Sequence, residues 1–241
     1  MKKKLFSLVL AIVMIPGALL AQSVLRKVKS LPVVKGVISA DVQIVSAKDM
    51  GDIYELVVQR QQGLKHVVYA TKDGAYLLLG GNIVNKDKVN LTQAQESEVN
   101  RVDVSTLPLK DAFTIKKGNG AKKLIMFDDV DCPFCRRAYS WLKTKDNYTL
   151  YVFFDPLNIH PQSYAHTVSI LCSKNPVSAF DQVMSGQNIA ETKCDAATRV
   201  LAGDKAVVDR VGVDGTPLFI TDSGARIVGF QTQQLESYLG K

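Results

Sequence analysis

No later stretch of the 241-residue chain approaches eighteen uncharged apolar residues, and the one apolar run near its start is eleven residues long, too short to span a bilayer. Low-complexity tracts are missing too. The 16 Gly and 8 Pro stand singly at turn positions, which argues against a collagen-like or disordered chain and against a long flexible linker. A concentrated basic face is also lacking. The formal charge of +7 includes Lys2, Lys3 and Lys4, and without them 27 Lys and Arg face 23 Asp and Glu, spread over both halves of the chain. Nucleic acid is therefore not an expected partner. Histidine is scarce, with only His66, His160 and His166 at unpaired spacing, and Cys172 and Cys194 stand singly 22 residues apart. A structural zinc site needs four ligands, normally as two close pairs, so no metal site is expected.

With 46% apolar and 22% charged side chains, the composition suits one large or two modest globular domains. The three lysines head the apolar run Leu5 to Ile15, broken only by Ser7, as the charged and hydrophobic regions of a signal peptide do. Pro16 and Gly17 are expected to break that helix. Ala21 is the best small residue for cleavage before Gln22, so residues 1–21 read as a signal peptide and the rest as a soluble, exported protein. No cysteine stands at the cut to take a lipid. Export places Cys132, Cys135, Cys172 and Cys194 in an oxidising compartment where thiols pair.

Val42 and Ile44, then Tyr54, Leu56 and Val58, alternate with polar neighbours as half-buried strands do. Val67 to Tyr69 and Tyr76 to Leu79 flank Asp73-Gly74, a hairpin turn because Gly accepts positive φ. With one short helix near Val24 to Leu31, residues 22–90 read as a small, mostly antiparallel sheet domain whose exposed edge would seek a partner. Thr92 to Gln95 has capping-box spacing and predicts a helix running to about Val102. That polar helix is either a rigid connector over residues 91–106 or a surface helix of one continuous domain. From Phe113 onward, strands at Leu124–Phe127 and Leu150–Phe154 alternate with helices, and a hairpin about Asp222-Ser223-Gly224 precedes a last helix. This α/β layout occupies residues 107–241.

Cys132-Pro133-Phe134-Cys135 follows the first of these strands and opens a helix. A thiol at a helix start faces unpaired N–H groups and the positive end of the dipole, which lowers its pKa. Pro133 suits the first turn because its missing N–H has no partner to lose there. Cys132, at the helix start and expected to be exposed, is the attacking sulfur, and Cys135, one turn on and facing inward, the resolving one. Arg136 and Arg137 favour a thiolate, whereas Asp131, Asp128 and Asp129 oppose it. Asp129 is either a partly buried proton acceptor for Cys135 or a solvated loop carboxylate. Cys172 and Cys194 lack a helix-start setting and read as a structural pair, with a second redox site as the alternative. Gly215-Thr216-Pro217 precedes a strand, and a cis bond there would leave the Thr216 backbone free to pair with a bound peptide.

Together, Phe127-Asp128-Asp129 before the Cys-Pro-Phe-Cys motif, the later cysteine pair and Gly215-Thr216-Pro217 resemble the DsbC/DsbG family of bacterial periplasmic disulfide isomerases. The Asp73-Gly74 hairpin and the Thr92 helix are similar to that family's dimerisation domain and linker. The resemblance implies an α+β protein: a cystatin-like dimerisation domain (22–90), a linker helix (91–106) and a thioredoxin-like catalytic domain with a helical insertion (107–241). It implies a periplasmic homodimer acting on misfolded disulfide-containing exported proteins, reduced by a membrane thiol donor and needing no cofactor. It also implies catalysis by Cys132 and Cys135, a cis Pro217, and substrate contacts from Thr216, Pro217, Pro133 and Phe134. Pro133-Phe134 departs from the Gly-Tyr of the isomerase branch and is closer to the Pro-Tyr of the other branch. The expected activity is isomerase and reductase, with a net oxidase, a sulfenic-acid reductase or a holdase chaperone as alternatives.

Overall fold

The computed structural model describes residues 16–61 and 63–240. The charged and apolar leader through Ile15 lies outside the described residues, and the expected cut at Ala21 falls within helix α1 (Pro16–Ser30). Pro16 opens that helix, as its fixed φ allows at a first helical position, and Gly17 lies inside it. The chain divides into two compact units, residues 1–96 and 97–241.

In the first unit α1 and α2 (Pro32–Val37) precede four antiparallel strands in the order β1 (Val42–Asp49), β2 (Ile53–Arg60), β3 (Lys65–Thr71) and β4 (Leu77–Leu78). Tyr54, Leu56 and Val58 lie on one face of β2 and pack with Val28, Leu31 and Val34 of the helical segment. Their alternation with the opposite face is what the period-two pattern dictates. The Asp73-Gly74 turn joins β3 to β4, which pair at Tyr69–Leu78 and Ala70–Leu77. Gly74 has φ +70°, and a Cβ there would sit 2.9 Å from Pro32 Cδ, so both conformation and close packing require glycine.

Helix α3 (Leu91–Val99) corrects the capping expectation. Asn90, not Thr92, caps it: the Asn90 Oδ1 accepts from Gln93 N at 3.0 Å. The Thr92 hydroxyl is buried within the first turn, bonded to Tyr69 Oη at 2.7 Å and accepting from Ile83 N at 2.9 Å. A tertiary partner thus claims the side chain that local spacing assigned to the cap. The helix also stops short of Val102, whose N–H donates to Gly224 O at 2.9 Å.

The second unit holds a five-stranded sheet in the order β5 (Phe113–Lys116), β7 (Tyr148–Phe154), β6 (Lys122–Asp128), β8 (Leu218–Thr221) and β9 (Arg226–Val228). Only β6 and β7 run parallel; their connection is helix α4 (Pro133–Leu142). Leu124, Met126, Phe154 and Phe219 pack on one face with Cys135 and Tyr139 of α4 and with Phe180 of α6 (Pro176–Met184). Ile125, Phe127, Phe153 and Ile220 pack on the other with Val207, Val208 and Val211 of α7 (Asp195–Val211). The two helical layers explain why β6 is apolar on both faces from Leu124 onward. Helix α5 (Ser163–Leu171) follows β7, and α8 (Thr232–Leu239) closes the unit.

Candidate active site

Strand β6 ends at Asp128, three residues of loop follow, and Cys132 takes the N-cap of α4 with Pro133 first in the helix. The loop is held by Cys132 N donating to Asp129 O at 2.9 Å. Both Cys132 and Cys135 are free thiols. Contrary to the expected exposure, Cys132 is only 4% exposed. The Thr216 carbonyl lies over it, accepting from Sγ at 3.5 Å, and the Thr216–Pro217 bond is cis. The exposed members of the motif are Pro133 and Phe134, the latter at 52% with the Arg137 guanidinium 4.9 Å above its ring.

The two thiols are electrically unlike. Hydrogen bonding from the Cys135 thiol draws the Cys132 pKa down to about 5 against the penalty of burial, helped by the Cys135 and Phe134 N–H groups and by the Thr216 side chain. The Thr216 hydroxyl is buried and has no other partner. Burial and the neighbouring Cys132 and Asp128 charges push Cys135 far upward. A thiolate on Cys132 above a protonated thiol on Cys135 is the division of labour that attack followed by resolution requires.

The acidic residues resolve differently from either reading of Asp129. Asp128 is the carboxyl beside Cys135: it is fully buried, neither oxygen has a partner in hydrogen-bond geometry, and burial pushes its pKa up to about 8. Strand alternation sets this, since Asp128 shares a face with Met126 and Leu124 toward α4. Asp129 is not solvated. It is fully buried and accepts from His160 Nδ1 at 2.7 Å, Leu157 N at 3.0 Å, Asp131 N at 2.9 Å and the Ser163 hydroxyl. Asp131, next to Cys132, is offset by Arg136 Nη2 at 2.7 Å and accompanied by His166 Nδ1 at 3.0 Å. The opposing charges of Asp129 and Asp131 are thus largely consumed by their own partners, and burial favours the protonated, uncharged form of Asp128. His160 and His166 had shown no ligand spacing, and their link to the loop comes from the parallel β6–β7 register, which sets residues after Phe154 beside residues after Asp128.

Cys172 and Cys194 form a disulfide joining the end of α5 to the N-cap of α7, so Cys194, contrary to the sequence expectation, does stand at a helix start. Replacing both by Ala is expected to cost about 3 kcal/mol of stability, the loop-closure entropy of a span this long. Thermal unfolding checks that loss, and thiol exchange at Cys132 should persist below the lowered transition.

The thioredoxin-like domain family model matches residues 109–241, the whole of the sheet and helices that carry these thiols. The chain belongs to the thioredoxin-like family. It is similar to a probable thiol:disulfide interchange protein DsbC of Bordetella avium, 27% identical over 162 residues that cover 67% of this chain and 57% of the relative. The chain thus spans little more than half the length of that relative. It is also 29% identical to the thiol:disulfide interchange protein DsbC of Dickeya dadantii, covering 68% of each. Among solved structures, a disulfide interchange protein from Neisseria gonorrhoeae matches 55% of this chain and 96% of its own, with TM-score 0.50 and 26% identity. Among the described residues no helix is long and apolar enough to cross a membrane.

Proposed function

We propose that this thioredoxin-like chain is an exported thiol:disulfide isomerase and reductase working through Cys132 and Cys135. The observation that carries the reading is the contrast between the depressed Cys132 thiol and the elevated, buried Cys135 thiol. The Cys132 thiolate attacks one sulfur of a client disulfide, forming a mixed disulfide and releasing the other client sulfur as thiolate. In isomerisation a second client thiolate then attacks the mixed disulfide, a new client disulfide forms and Cys132 leaves as thiolate, with no net redox change. In reduction Cys135 loses its proton, for which the ionised form of the Asp128 carboxyl, populated as pH approaches 8, is the neighbouring acceptor, and attacks Cys132 Sγ. The client leaves reduced, and the Cys132–Cys135 disulfide must be reduced again, a task suited to a membrane thiol donor. Thr216, Pro217, Pro133 and Phe134 border the attacking sulfur and would meet the client chain.

The homodimer reading is supported by the first unit. Its edge strand β4 has only two residues, and Tyr76, Leu78 and Leu79 about it are exposed apolar side chains. Pairing two such edges satisfies free backbone groups and covers apolar surface. A net oxidase is the second reading, favoured by the low Cys132 pKa, because a stabilised thiolate stabilises the reduced state and makes the couple more oxidising.

Regain of activity by a scrambled, disulfide-rich protein in glutathione buffer tests these readings, alongside sedimentation of the same preparation. The isomerase is expected to sediment as a dimer at micromolar concentration and to reshuffle disulfides with wild-type and Cys135→Ser protein. A monomer that oxidises reduced clients but leaves scrambled ones unchanged would instead establish the oxidase.

A further inference from the structure

From Pro133 to Lys145, helix α4 and the turn after it carry Arg136, Arg137, Lys143 and Lys145 and no Asp or Glu. Three of these cations have polar partners. Arg136 donates to Asp131 Oδ1 at 2.7 Å and to Val130 O at 2.8 Å, Lys145 meets Glu236 Oε1 at 3.3 Å, and Lys143 reaches the Ser185 hydroxyl at 3.3 Å. Arg137 is different. Among the described residues its exposed guanidinium makes no hydrogen bond or ion pair, and it lies over the Phe134 ring, 4.9 Å from the centroid. A ring offers a cation its π-face and no acceptor oxygen, so the guanidinium N–H groups stay open to a ligand.

Helix geometry aims this cation at the nucleophile. Phe134 and Arg137 stand three residues apart and so share a face. Helical side chains lean toward the N-terminus, which carries Arg137 back over Phe134 toward the helix start, where Cys132 is the N-cap. Five residues of helix separate Cys132 from Arg137, a rise of about 7 Å. An extended chain covers roughly the same distance in two residues, and residues two apart point to the same side. A client running along α4 with its cysteine on Cys132 therefore brings the side chain two positions away to Arg137.

We propose that Arg137 is a specificity-determining residue: held over Phe134, it selects client disulfides flanked by a Glu or Asp carboxylate. The inference rests on the reading of Cys132 as the redox nucleophile. A planar carboxylate matches the guanidinium fork. A bare thiolate repels an acidic client and attracts a basic one, so preference for an acidic client needs a cation beside the sulfur that is not already paired. Arg136 does not meet that need, because Asp131 holds it. Asp129 does not compete for Arg137, because its carboxylate is buried on Leu157 N, Asp131 N, His160 and Ser163.

Single-turnover oxidation of the reduced full chain by two peptide disulfides tests this. Each is a symmetric dimer of a short peptide with one cysteine, and the two differ only in carrying glutamate or lysine two residues to either side of it. The readout is the ratio of the two second-order rate constants, from which any change in the Cys132 thiolate fraction cancels. Wild-type protein at low salt should favour the glutamate peptide about three- to tenfold, as an exposed ion pair with one peptide and a like-charge contact with the other allow. Most of that preference should vanish in about 0.5 M salt. Arg137→Gln should bring the ratio to one or below, Arg137→Glu should invert it, and Arg137→Lys should keep part of it. A wild-type ratio at or below one, or a ratio unmoved by Arg137→Gln and Arg137→Glu, would overturn the role of Arg137 and leave Cys132 as the nucleophile. Undiminished oxidation of Cys132→Ser protein by both peptides would overturn both.

Discussion

Cys132→Ser is expected to reduce thiol–disulfide exchange to background, a loss of at least about a thousandfold, without measurable loss of folding stability. The serine oxygen fits the N-cap position of α4 and keeps the bond network of the loop, yet it is not ionised near neutral pH and forms no disulfide. Cys135→Ser should behave oppositely. Its hydroxyl still donates toward Cys132, so the thiolate remains, attack proceeds, and a client with no further free thiol accumulates as a mixed disulfide because the internal resolving sulfur is gone. Non-reducing electrophoresis of each variant with a disulfide-bonded client separates the two. Trapping by Cys132→Ser, through Cys135, would reverse the roles assigned to the thiols.

Asp128→Asn carries the second large expectation, and it concerns stability as well as rate. In the folded protein the Asp128 carboxyl keeps its proton up to about pH 8, whereas in the unfolded chain it loses that proton near 3.8. Between those values the native state holds more protons than the unfolded state, so stability falls as pH rises, by up to about 1.4 kcal/mol per unit for one fully resolved group. Asparagine has no proton to lose and removes that slope. The folding stability of Asp128→Asn, read from thermal unfolding, should therefore differ little from wild type at pH 4 and exceed it at pH 8 by on the order of 1–3 kcal/mol once the buried amide's own desolvation is counted. The same change removes the nearest proton acceptor for Cys135, and resolution should slow by roughly a hundredfold. Parallel melting profiles from pH 4 to 8 would show that Asp128 is not the buried carboxyl that titrates.

The expectations that held came from residues whose local chemistry and tertiary role agree. Asp73-Gly74 demanded a turn by its φ, and Gly74 is also the residue that Pro32 packs against. Cys132-Pro133 demanded a helix start, and the fold puts one there. The α+β organisation with a thioredoxin-like second half was legible because β6 and β7 are unbroken apolar runs separated by an amphipathic helix of suitable length. What was not legible is what depends on a partner far away in the chain. Thr92 has the spacing of a cap, but Tyr69 from β3 captures its hydroxyl. The sequence left Asp129 open between a proton acceptor and a solvated carboxylate, whereas strand alternation from Met126 points to Asp128. His160 had no motif at all. Only the parallel pairing of Asp128 with Phe154 brings the segment after β7 beside the loop after β6.

The most direct measurement is the rate of alkylation of each cysteine in the reduced protein as a function of pH, with peptide mapping to identify the labelled sulfur. Cys132 should react with an apparent pKa near 5. Cys135 should stay unlabelled throughout the range in which the protein is folded, since burial and the neighbouring charges hold its proton. Labelling of Cys135 ahead of Cys132, or a Cys132 profile rising only near the ordinary thiol value of about 8.5, would contradict the assignment of Cys132 as the poised nucleophile.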